Sequence, residues 1–108
     1  MKKLFTLLLF CGMVCMAYGQ VHINEYSAAN LENFLDNYSR TEDWIELYYD
    51  GDVDVDISGY HLSDKASKPG KWVIPEGVVI PAKGYLVFWC SGRDEFCDDG
   101  ALHTNFKL

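Results

Sequence analysis

The clearest pattern in the chain is the strict alternation from Trp44 to Tyr49, where Ile45, Leu47 and Tyr49 fall on one side and Trp44, Glu46 and Tyr48 on the other. A period of two is the geometry of an extended strand with one buried face. A shorter alternation, Val21, Ile23 and Tyr26 against His22, Asn24 and Glu25, predicts a strand over 21–26. After the turn residues Asp50-Gly51-Asp52, Val53, Val55 and Ile57 alternate with Asp52, Asp54 and Asp56. That arrangement predicts a hairpin with the 44–49 strand, Gly51 supplying the positive φ of a tight turn. Between the first two strands, Leu31, Phe34, Leu35 and Tyr38 follow the i, i+3, i+4, i+7 spacing behind Asn30, an N-cap type. This predicts a two-turn helix laid as a lid over one end of the core, since so short a helix needs packing to persist.

Beyond residue 57 the chain is punctuated by Gly and Pro. Ser58-Gly59 and Pro69-Gly70 mark bends, and Trp72-Val73-Ile74 and Val78-Val79-Ile80 are short apolar runs stopped by Pro75 and Pro81. Tyr85 to Trp89 is continuously apolar, as expected of a central strand covered on both faces. Residues 101–108 read as a last strand with Leu102, Thr104, Phe106 and Leu108 on one face. Six or seven short strands at intervals of about ten residues predict an all-β antiparallel sandwich.

The first nineteen residues follow a different rule. Lys2 and Lys3 precede an apolar run from Leu4 to Met16, and Ala17-Tyr18-Gly19 places small residues where leaders are cut. Residues 1–19 are therefore expected to be a secretory signal peptide, and residues 20–108 the mature domain, secreted or displayed at the cell surface. Roughly 20 apolar residues are needed to span a bilayer, so no membrane insertion is expected after cleavage. Phe10 before Cys11 and Val14 before Cys15 do not suit a lipoprotein signal.

Separating the leader changes the composition. The chain of 108 residues has 9 basic and 16 acidic side chains, a formal charge of −7. Loss of the two leader lysines from −7 gives −9 for the mature part. Nucleic acid is a poor partner for such a balance, because phosphate binding needs Lys and Arg. All three Met and two of the four Cys leave with the leader. The remaining Cys90 and Cys97, with six residues between them, predict a disulfide in an exported protein, worth about 2.5 kcal/mol by loop closure. A metal pair or a Cys nucleophile are the alternatives, without C-x-x-C spacing or a motif-placed His.

Seven short pieces then occur in order: Ile23-Asn24-Glu25; Asp43-Trp44-Ile45-Glu46-Leu47; Ile57-Ser58-Gly59-Tyr60 with Leu62-Ser63-Asp64; Trp72 with Ile74-Pro75 and Gly77; Ile80-Pro81; Gly84-Tyr85-Leu86; and His103-Thr104-Asn105-Phe106 with Leu108. Together they resemble the lamin-tail domain. The resemblance implies an immunoglobulin-like β-sandwich and, for bacterial members, an exported noncatalytic module of a larger surface or secreted protein. Its expected work is contact with a protein or glycan, or spacing of neighbouring domains, with no cofactor. The resemblance also implies structural roles for Asn24, Glu25, Asp43, Glu46, Asp56, Gly59 and Asp64. Family members continue past the His-Thr-Asn-Phe stretch with about two more strands, so a chain ending at Leu108 is expected to be a truncated one.

Candidate chemistry is sparse beside that reading. Asp50, Asp52, Asp54 and Asp56 present hard oxygens at alternate positions, as weak calcium candidates. The calcium-loop pattern fails, however, because its Gly and Glu positions hold Val55 and His61. A solvated hairpin face is the expected reading, with Asp56 bracing the Ser-Gly bend. Glu25, Asp43 and Glu46, with His61 and His103, would serve a small carboxylate- or metal-dependent hydrolase only if the fold brought them together. No nucleophile elbow, phosphate loop or H-E-x-x-H is present. Trp44 and Tyr48, opposite the Ile45 and Leu47 face, are the candidate binding surface for sugar or protein; the alternative is a second buried face.

Overall fold

The computed structural model describes residues 8–10, 19–28 and 34–108. Among these the regular structure is ten short strands and no helix: β1 (Leu8–Phe10), β2 (Val21–Ser27), β3 (Trp44–Tyr49), β4 (Val55–Asp56), β5 (His61–Ser63), β6 (Trp72–Val73), β7 (Val79–Ile80), β8 (Tyr85–Trp89), β9 (Glu95–Phe96) and β10 (Leu102–His103). One layer is a five-stranded sheet ordered β2-β3-β8-β10-β9; the other comprises the three-stranded β1-β5-β6 and the pair β4-β7. All pairings are antiparallel except β8 with β10, which join in parallel at Trp89 and His103.

The core lies between the layers. Ile45, Leu47, Tyr49, Phe88 and Leu102 come from the large sheet, and Ile57, Leu62, Trp72, Ile74, Val78 and Ile80 from the opposing strands and turns. The alternation in β3 becomes alternating burial, with Ile45 and Leu47 fully buried. Trp72 meets Phe88 across the layers edge to face, with ring centroids 5.8 Å apart. Its indole N–H donates to Asp94 Oδ1 at 2.8 Å, so the polar end of a buried ring keeps a partner.

Several sequence expectations change. The 44–49 strand does not form a hairpin with 53–57: β3 lies between β2 and β8, and β4 pairs with β7. Nor is Gly51 among the glycines with positive φ. It is buried beneath the Tyr49 ring, and a Cβ there would overlap the Tyr49 hydroxyl. Gly59, by contrast, does take a positive φ of 84° in the bend after Asp56.

The expected helix is absent where it can be seen: Asn30 and Leu31 fall outside the described residues, and Phe34 to Tyr38 form an irregular loop. Asp36 Oδ1 accepts from the N–H groups of Tyr38 and Arg40, both at 2.9 Å, and Ser39 has φ 60°. A side chain has taken donors that helical carbonyls would otherwise use. The last strand is also shorter than expected. It stops at His103, where Thr104 Oγ1 donates to the carbonyl of Phe106 at 2.8 Å and bends the chain. Strand β8 is central, but its two-sided cover holds only toward Trp89; Tyr85 is 56% exposed.

Candidate functional site

The outer face of the five-stranded sheet collects the side chains that β3 turns away from the core. Cross-strand register puts Trp44 opposite Trp89, Glu46 opposite Val87 and Tyr48 opposite Tyr85. On the other flank, β2 places Ser27, Glu25 and His22 beside Trp44, Glu46 and Tyr48. A bulge between Ile23 and Glu25 accommodates Asn24 as an extra residue, and pairing resumes with Glu25 opposite Glu46. Asn24 Nδ2 donates to Glu46 Oε1 at 2.8 Å, bracing a carboxylate that faces Glu25 across the ladder.

The two ends of this face differ. At one end Phe34 leans on Trp44 and Trp89, with centroids 5.6 and 5.1 Å away, so the tryptophan row is partly covered by the 34–40 loop. At the other, Tyr48 and Tyr85 lie 4.8 Å apart at an interplanar angle of 41°, the latter open to solvent. Of the two aromatic residues named from sequence, Tyr48 belongs to an exposed platform and Trp44 to a packed cluster. Tyr85, read as a buried central-strand residue, is the better exposed member of the platform. Alternation within β8 could have marked it, but the uninterrupted apolar run concealed which face was open.

The four aspartates diverge. Asp50 Oδ1 accepts from the Gln20 N–H at 2.6 Å and its Oδ2 lies 3.2 Å from His22 Nε2, contacts that lower its acidity range, the backbone bond most strongly. Asp52 lies 3.5 Å from Lys83 Nζ, and Asp54 accepts from Ala82 N–H at 3.0 Å. Asp56 accepts from the hydroxyl and N–H of Ser58, which hold its carboxyl below the usual range. The same Ser58 hydroxyl accepts from Gly77 N–H at 2.9 Å, joining two turns. No group of three or more His, Cys, Asp or Glu side chains is placed to hold a metal among the described residues.

The expected disulfide is not formed: Cys90 and Cys97 are free thiols. Cys90 follows Trp89 on the core side, and burial pushes its thiol up to about 12. Cys97 continues the outward side of β9 with Glu95, its Sγ 3.8 Å from Tyr38 Oη. The two sulfurs therefore belong to opposite faces of one sheet, which short sequence separation could not reveal. Asp64 is paired with Lys71 Nζ at 2.8 Å, and the Asp43 carbonyl accepts from Cys90 N–H at 2.7 Å.

His61 and His103 are not brought together, since β5 and β10 belong to different layers. His103 instead sits in a chain that sequence reading missed. Its Nδ1 is 2.7 Å from Ser91 Oγ, and its Nε2 is 2.7 Å from Asn37 Oδ1. Because an amide oxygen only accepts, Nε2 carries the proton and Nδ1 accepts from the serine hydroxyl. Tyr38 packs over the imidazole at 5.5 Å, donates to Glu95 Oε1 at 2.6 Å, and carries the Arg93 guanidinium 3.8 Å from its ring centre. That hydrogen bond raises the Tyr38 phenol and lowers the Glu95 carboxyl. Although Ser, His and Asn lie in hydrogen-bond order, Ser91 is 6% exposed and His103 fully buried. Their geometry fastens the 34–40 loop to the sheet. Asn37 lies 66 residues from His103, beyond any local motif.

A two-layer all-β sandwich is the architecture of an immunoglobulin-like module. The family model described as Lamin Tail Domain matches residues 16–107, and the chain belongs to that family. No curated protein and no solved structure matches it.

Proposed function

We propose that the chain is an exported, noncatalytic lamin-tail module that acts by contact with a protein or glycan, or by spacing domains of a larger surface or secreted protein. The observation that carries the contact reading is the Tyr48–Tyr85 pair on the open end of the outer sheet face. Two aromatic rings on a sheet are a firm platform at low entropic cost, and stacking against the apolar face of a sugar or an anchoring side chain uses that geometry. Asn24 and Glu46 lie on the adjacent row, where hydrogen-bonding groups would fix the orientation of a bound hydroxyl or amide. Export is supported by the charged, apolar and small-residue succession of residues 1–19.

Binding to a panel of immobilised oligosaccharides and extended peptides tests this. The Tyr48→Ala/Tyr85→Ala double variant should bind at least about tenfold more weakly than wild type while unfolding at a similar denaturant concentration, since hot-spot aromatics carry on the order of 2 kcal/mol. Equal binding by both proteins would contradict the reading. Hydrolysis of ester, phosphodiester or glycosidic substrates, abolished by Glu46→Gln, would replace it with an enzymatic one.

A further inference from the structure

Strand β5 has two edges, and their partners differ in kind. Along one edge it pairs with β6, His61 opposite Val73 and Leu62 opposite Trp72. The Tyr60 carbonyl accepts from Ile74 N–H at 2.8 Å on that side. Antiparallel geometry sends alternate residues' polar groups to opposite edges, so Leu62 also addresses β6. The N–H and C=O groups of His61 and Ser63 therefore point to the other edge. That edge is occupied by β1, with Leu8 opposite Ser63, Leu9 opposite Leu62 and Phe10 opposite His61.

The strand on this edge lies inside the apolar run that reads as a leader. The edge belongs to a strand whose Leu62 and Ser63 are fully buried, so it is part of the body of the sandwich. Unpaired strand edges are templates for pairing, and their main-chain groups bind an extended partner with little demand on its sequence.

We propose that the outer edge of β5 is a strand-acceptor site whose occupant in the uncleaved chain is Leu8–Phe10. The leader then has a second role as an edge cap, and its removal after Gly19 opens the edge. The consequence of cleavage rests on the export reading; the acceptor site does not.

Amide hydrogen exchange on the full, uncleaved chain tests the site. His61 and Ser63 amides should be protected together with Leu62, whose N–H faces β6. Phe10→Pro removes the N–H opposite His61 and should speed exchange at His61 and Ser63 by at least about tenfold, leaving Leu62 unchanged. A synthetic peptide of residues 2–10 added to that variant should restore protection. Unchanged exchange at His61 and Ser63 in the variant, or no recovery with the peptide, would overturn the proposal. N-terminal sequencing of the exported product separately tests cleavage, so failure of the export reading is distinguishable from failure of the acceptor site.

Discussion

His103 shows how one side chain couples distant parts of this fold. Burial lowers its acidity range below the ordinary imidazole value, against the opposing pull of Asp36, Glu95 and Glu42. A lowered histidine binds protons more readily in the unfolded chain, so stability rises with pH across this window. The contribution is complete above the unfolded value of about 6.5 and falls as the pH drops from there toward the folded value. Urea titrations from pH 7 to pH 5 should show declining stability, with a shallower decline in His103→Gln. An equal decline in both proteins would place the effect elsewhere. Gly51 makes a second residue-scale case, because a Cβ there would overlap the Tyr49 hydroxyl in a buried position. Gly51→Ala should destabilise by about 1–3 kcal/mol, read from the denaturation midpoint. The sequence marks this glycine as a turn residue; its true constraint, a ring folded back from two positions earlier, needs the tertiary path of Tyr49.

At the scale of elements, periodicity located strands better than it located their partners. Burial in β3 follows the alternation residue by residue, because one sheet face has only one core to meet. Partner choice is not local, and β3 takes β2 and β8 while the acidic segment turns away to β7. The 34–40 loop resembled a helical stripe because Phe34, Leu35 and Tyr38 share helical spacing. Asp36 redirects the backbone, and Phe34 and Tyr38 settle over Trp44, Trp89 and His103. The cysteine loop follows the same lesson: strand alternation sends Cys90 inward, and Cys97 belongs to the opposite face. Brief alkylation of the native protein followed by mass spectrometry should label Cys97 and spare Cys90. A Cys90–Cys97 cross-linked peptide recovered without reductant would contradict that assignment.

For the whole molecule, the sandwich was legible because regularly spaced strands, Gly and Pro punctuation and the seven lamin-tail pieces agree on one architecture. The Trp72–Phe88 contact spans the layers, with Trp72 almost fully buried. Trp72→Ala should cost about 3–5 kcal/mol, comparable with the entire stability of many small domains, and would appear as loss of a cooperative unfolding transition. The candidate site was legible in part. Tyr48 was marked by alternation, whereas Tyr85 required knowing which end of β8 lacks a cover. Chemical-shift mapping on the labelled protein is the most direct test of function by contact at this face. Titration with a ligand selected from the oligosaccharide and peptide panel should shift Tyr48, Tyr85, Glu46 and Val87 together and saturably, leaving Ser91 and His103 in place. Saturable shifts centred on Ser91 and His103, with the Tyr48–Tyr85 face unmoved, would contradict the account.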